Sequence, residues 1–239
     1  MADNFYNPYS LEGQERSRVS AFPALMSKVY IWMTLALAIT GLTAYYVAGN
    51  TSLVYSIAQS KGLFWGLFIA ELALVWILSA RIMHLSFPVA GLMFGTYAVL
   101  NGVVLSFLLL VYTAESIATT FLVTAGTFGA MSLVGLFTKR DLSVMGRFLF
   151  MALIGLIIAT FVNIFVASTA LSWALTYIGV LLFCGLTAYD TQKMKEILRQ
   201  SEAAGGEHIM KIALLCSLSL YLDFINLFLY LLRIFGDRR

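Results

Sequence analysis

LYLDFINLFLY, residues 220–230, places one carboxylate, Asp223, inside a run otherwise composed for lipid. A charge at bilayer depth costs about 2.5 to 3.5 kcal/mol on insertion scales, so it must face protein or water and have a partner. On a helix, Ser219, Asp223, Asn226 and Tyr230 recur at spacings of four, three and four, which gathers the hydrogen-bonding groups on one stripe. The rest of the segment, with Leu220, Leu222, Ile225, Leu227, Leu229 and Leu231, is apolar and suits other helices or acyl chains.

Working outward, the composition agrees with this reading. The chain is 61% hydrophobic and 11% charged, with a mean hydropathy of +0.89, whereas a soluble domain is about one-quarter charged. Seven runs, 29–48, 62–80, 87–112, 117–138, 148–168, 171–191 and 212–234, reach the roughly 20 apolar residues that cross a bilayer core as helices. The predicted fold class is an all-α integral membrane protein with a single seven-helix domain over 22–239. A mobile N-terminal tail is expected over 1–21, where Asn, Pro, Gly, Ser and charges mix without a period. The first apolar run is too long and lies too far along the chain for a signal peptide, and reads as a retained span. A net charge of +3 gives no support for nucleic acid, and Cys184 and Cys216 fall inside spans, where they pack rather than bridge.

Basic residues set the expected topology, because translocated loops avoid them. Eleven lie on one set of connections, among them Arg81, Lys139, Arg140, Arg147, Lys193 and Lys211, against Lys61 alone on the other. That places the N-terminus in the cytoplasm. Arg233, Arg238 and Arg239 at the end of the chain pull the other way, so two topologies stand: seven complete spans, which continuity of backbone pairing favours, or six and a segment that dips in and returns.

Three intramembrane carboxylates are the candidate site residues. Asp223 is one, and Glu71, within GLFIAELALVW, is the second. Asp190 is the third, in GLTAYDTQK near the end of the sixth span; the short connection that follows makes the sixth and seventh spans antiparallel neighbours, so Asp190 is the natural partner of Asp223. Two carboxylates in low dielectric cannot both ionise cheaply and hold a proton between them. The guanidinium of Arg81, at the inner end of the second span, is placed to pair with whichever is charged. The same oxygens, with Asn226 and Ser219, offer a weak and transient site for Ca²⁺. Gly91 with Gly95, and Gly126 with Gly129, read as close-packing positions, Thr160 and Asn163 as interhelical hydrogen-bonders, and Asp141 as a cap for the fifth span.

The runs GLTAYDTQK (185–193), LYLDFINLFLYLLRI (220–234) and TKRDLS (138–143) resemble the Bax inhibitor-1 family, and its bacterial inner-membrane members in particular. The resemblance implies a seven-helix fold with the seventh helix central, and a pH-sensitive calcium leak channel governed by an aspartate pair with an arginine latch. By motif these fall on Asp190, Asp223 and Arg81, with Glu71 as a possible accessory. It also implies no enzyme activity, no resident cofactor, Ca²⁺ and protons as the species handled, and the lipid bilayer as the surroundings. The main rival is an intramembrane aspartyl protease, which also uses two aspartates sharing a proton. Such proteases resemble one another in a Gly-x-Gly-Asp run and a later Pro-Ala-Leu run; this chain has SLYLD and no proline after Pro88. A scaffold whose buried charges only set helix register is the third reading.

Overall fold

Residues 8–201 and 206–239 are described by a computed structural model. They form eight α-helices: α1 (Pro8–Gly49), α2 (Thr51–Gln59), α3 (Lys61–Arg81), α4 (Phe87–Val111), α5 (Ala114–Phe137), α6 (Ser143–Val166), α7 (Thr169–Ser201) and α8 (Gly206–Phe235), with a 3₁₀ turn at Ile82–His84. Seven of them are long and apolar enough to cross a membrane, all except α2. The protein is an all-α, multi-pass membrane protein.

Polar side chains close the helix starts where the spans leave the bilayer. Asn50, Ser60 and Thr113 accept from the amides of Leu53, Leu63 and Ser116, capping α2, α3 and α5. The stretch after the first span forms the short helix α2. One segment departs from expectation. The N-terminal region is helical from Pro8, with Pro at the first helical position, where its missing amide costs nothing. Leu11, Glu12, Gln14, Glu15, Arg16 and Arg18 are all good helix formers, which outweigh the scattered Gly and Ser. Of the expected mobile tail, residues 1–7 lie outside the described residues.

The seventh span, α8, packs against α1, α4, α5 and α7. In its most apolar stretch 61% of residues are buried, against 33% or less in every other span. The α6 helix is the opposite case, held chiefly by α7 and only 11% buried. Close helix approach occurs at glycines other than those singled out by spacing. A Cβ at Gly102 would strike the Thr40 carbonyl and Thr43 on α1, and one at Gly135 would strike the Ala188 carbonyl on α7; Gly95, Gly126 and Gly129 face open space.

The end of the chain settles the choice between a crossing and a returning last segment. α8 is unbroken for 30 residues, about 45 Å at 1.5 Å per residue. Beyond it, the tail pairs with the α4–α5 junction: the Thr113 amide donates to the Asp237 carbonyl at 3.1 Å and the Arg239 amide to the Val111 carbonyl at 3.0 Å. The Asp237 amide adds a bond to Ser116 Oγ at 2.9 Å. The tail therefore sits at the end of the bundle opposite the basic α5–α6 and α7–α8 connections.

Candidate functional site

The polar stripe of α8 lines a crevice of about 1050 Å³ between α6, α7 and α8. Ser219, Asp223, Asn226 and Tyr230 all face it, and so does Asp190 from α7. The opposite faces of α8 are spent on helix packing, with Leu220, Leu227 and Leu232 almost fully buried. Asp223 is 5% exposed, and its Oδ2 has no hydrogen-bond partner among the described residues. Asp190 is half-buried and near enough for its charge to act on Asp223. Asn226 turns its amide back to the Leu222 carbonyl at 2.8 Å, which leaves its Oδ1 available to the crevice.

Glycines on both sides of the crevice bring its walls together. The ring of Tyr189 lies over Gly146 of α6, Leu149 lies over Gly185, and Tyr230 lies over Gly179; a Cβ at any of the three glycines would overlap its neighbour. Tyr230 also stacks on Phe183, with ring centroids 5.8 Å apart. These contacts set the height of α7 relative to α6 and α8, and with it the depth of Asp190.

A second cavity of about 430 Å³ continues toward the end of the bundle that carries the C-terminal tail. Thr160, Ile164, Asn226 and Tyr230 line both. The outer one ends at Arg233, whose Nη1 makes a long 3.5 Å contact to Thr176 Oγ1. At the other end of the path stand Arg147 and Lys193, with Lys193 Nζ 5.8 Å from the centroid of the Tyr189 ring. Cations thus stand at both ends of the joined cavities, with the two carboxylates between them.

Comparison with known proteins agrees with this architecture. Residues 23–239 match the family model described as "Inhibitor of apoptosis-promoting Bax1". The chain belongs to the Bax inhibitor-1 family. It is 52% identical to "Inner membrane protein YbhL" of Escherichia coli strain K12, over 90% of this chain and 92% of the relative. An uncharacterized protein of Deinococcus radiodurans is 45% identical over 89% of this chain and 90% of its own length, and one of Rickettsia prowazekii 42% over 90% and 89%. The family match runs through both aspartate-bearing helices.

The structure does not bring every expected residue of this family member to the crevice. Arg81 is exposed at the end of α3 and lines none of the crevice or its outer continuation. Lys193, one turn along the same helix, lines the crevice with Asp190. Glu71 is buried, 8% exposed, but on a different side of α8, beside Asn101 and Tyr97 of α4. There Tyr221 bonds Thr40 Oγ1 at 2.8 Å and meets the Phe94 and Tyr97 rings edge-on. Ser217, Tyr221 and Phe224 thus turn away from the crevice while Asp223 turns toward it. Two polar clusters sit on different faces of one helix.

Sequence reasoning passed over the α6 wall. Arg147 counted only as a topology charge, and Gly146 carried no signal without knowledge of Tyr189 above it. Asn163, read as an interhelical hydrogen-bonder, is one: its amide donates from α6 to Ser172 Oγ of α7 at 2.6 Å, and its Oδ1 accepts from the Ser168 amide at 3.1 Å in the turn between them. Asp141 accepts from Ser143 Oγ at 2.6 Å and from its amide at 2.8 Å, one residue before the position expected of a cap, which Leu142 occupies without a side-chain bond. Those bonds, the hydroxyl's first, hold its carboxyl below the usual carboxylate range.

Proposed function

We propose that this chain is a pH-sensitive leak for calcium across a bacterial inner membrane, with the Asp190–Asp223 pair as its proton-responsive element and no enzyme activity. The observation that carries the reading is that both carboxyls face the same open crevice rather than a salt-bridge partner. A buried carboxylate that served only to lock helix register would have its oxygens satisfied by protein. Asp223 Oδ2 is not. With Asn226 and Ser219 beside it, the pair offers a few oxygens to a passing Ca²⁺, which prefers six to eight and takes the remainder from water. Among the described residues no three His, Cys, Asp or Glu side chains gather as a resident metal site, and transient contact is what conduction needs.

In this reading the proton and the ion compete for the same two carboxyls. Protonation removes the charge that draws the cation in; deprotonation restores it. Lys193 and Arg147 at one mouth and Arg233 at the other set the barrier on either side, and Arg81 acts, where it acts, in a different arrangement of α3. The distribution of basic residues supports a cytoplasmic N-terminus, and the printed name of the 52% identical relative supports the inner membrane.

The test is Ca²⁺ flux into proteoliposomes across a pH series, with Asp190→Asn and Asp223→Asn reconstituted at equal density. Wild type should give a pH-dependent flux that both variants lose. Equal flux from the variants would remove the pair from the mechanism, and cleavage of a membrane-spanning peptide by wild type alone would replace the leak with proteolysis.

A further inference from the structure

At the end of the bundle that carries the α5–α6 connection, a polar pocket of about 490 Å³ adjoins the crevice. Tyr189 and Lys193 line both. Five cations border the polar pocket, Lys139, Arg140, Lys193, Lys195 and Arg199, against the two carboxylates Asp141 and Glu196. Both carboxylates are engaged by neutral donors: Asp141 by Ser143, and Glu196 by the Gln200 amide at 2.6 Å. Even without Arg199, four cations face two carboxylates, so the positive charge is in excess.

The pocket is also held in shape. Gln192 on α7 accepts from the Leu142 amide at 2.8 Å and donates to the Arg140 carbonyl at 2.8 Å, clamping the α5–α6 loop to α7. Lys195 reaches the Leu136 carbonyl at 2.5 Å, at the end of α5. From this frame the crevice runs into the membrane along apolar side chains of α6. Phe150, Met151 and Phe161 line it and are 60% or more exposed, so the crevice is open sideways to acyl chains.

We propose that these joined cavities form a binding site for one anionic phospholipid, its phosphate between Arg140 and Lys193 and one acyl chain in the crevice along α6. A basic pocket between membrane helices at the surface is the chemistry that holds anionic headgroups. An apolar slot leading from it excludes a free phosphate as the favoured ligand, because only a lipid fills both parts. The site shares the crevice and Lys193 with the proposed leak, but it is defined by binding and stands whether or not ions pass the aspartates.

The experiment is native mass spectrometry of the full chain in detergent, titrated with phosphatidylglycerol, with phosphatidylcholine of the same acyl chains, and with glycerol phosphate. One phosphatidylglycerol should remain bound with a preference over phosphatidylcholine. In Arg140→Gln/Lys193→Gln that preference should fall by about tenfold or more, from roughly one kilocalorie's worth of attraction per removed charge. Lys61→Gln, at the other end of α3 from Arg81, should retain it, and Arg140→Lys should restore most of it, which separates lost binding from lost folding. Equal binding of both lipids, an undiminished preference in the double variant, or displacement of the lipid by glycerol phosphate at equal concentration would overturn the assignment.

Discussion

The ring of Tyr189 covers Gly146 so closely that no side chain fits beneath it. This contact joins α6 to α7 one residue before Asp190, and α6 has little else to hold it, being packed chiefly on α7. Gly146→Leu should therefore push the two helices apart. Overpacking of this kind costs about 1 to 3 kcal/mol, read as a lower Tm in detergent, and the displaced Tyr189 should alter flux as well. A Gly146→Leu protein with unchanged Tm and flux would show that the contact carries neither packing nor position.

Asp223 presents a second relationship between burial and stability. Its Oδ2 is buried without a partner, and buried ionisable groups retained for function are commonly replaced at no cost to the fold. Asp223→Asn should keep or raise Tm while abolishing the pH-dependent flux. A fall in Tm of the size that follows a broken buried pair, about 3 kcal/mol or more, would mean the carboxylate is structural.

The α8 stripe was legible because a helix converts spacings of four, three and four into one face, and Ser219, Asp223, Asn226 and Tyr230 do share the crevice. That Asp190 would face the same crevice as Asp223 followed from chain connectivity. What was not legible needed neighbours far away in sequence. Glu71 finds Tyr97 and Asn101 on another helix, and the Gly146 contact exists only once Tyr189 lies above it. Arg81 was placed by motif, and a motif gives the helix end but not the direction of a long side chain. The small-residue spacing at Gly91 and Gly95 misled for a related reason: the tight α1–α4 crossing falls about two to three turns later, at Gly102.

Lys193 and Arg81 make opposed predictions. Lys193 lines the crevice with Asp190, whereas Arg81 stands exposed outside it. Lys193→Ala should move the midpoint of the pH response of flux, and Arg81→Ala should leave it in place. A shift with Arg81→Ala alone would place that guanidinium in the gate and assign the present arrangement to a state in which the latch is undone.

Asp141 gives a pH dependence outside the membrane. Hydrogen bonds from Ser143 hold its carboxyl below the usual range in the folded protein. A group lowered on folding contributes stability that is present above its unfolded value and is lost as pH falls through the folded one. Acid should thus weaken the start of α6 only below the ordinary carboxylate range. Asp141→Asn keeps an acceptor for the Ser143 amide and removes the charge, so its Tm should be flatter with pH across that window; parallel curves for the two proteins would exclude the effect.

The turn between α6 and α7 carries a strained residue. Ala167 has φ 52, the left-handed conformation, where it ends α6 with its amide on the Asn163 carbonyl. A Cβ there costs about 1 to 2 kcal/mol, while glycine at the same place loses about 0.4 to 1 kcal/mol through the greater freedom of the unfolded chain. Ala167→Gly should therefore be stabilising by roughly 1 kcal/mol or less, visible as a raised Tm in detergent with no change in flux, since Ala167 lines none of the cavities described. A lowered Tm would mean that packing of the Ala167 methyl group outweighs the backbone strain, and that the end of α6 is held by its side chains rather than by the turn.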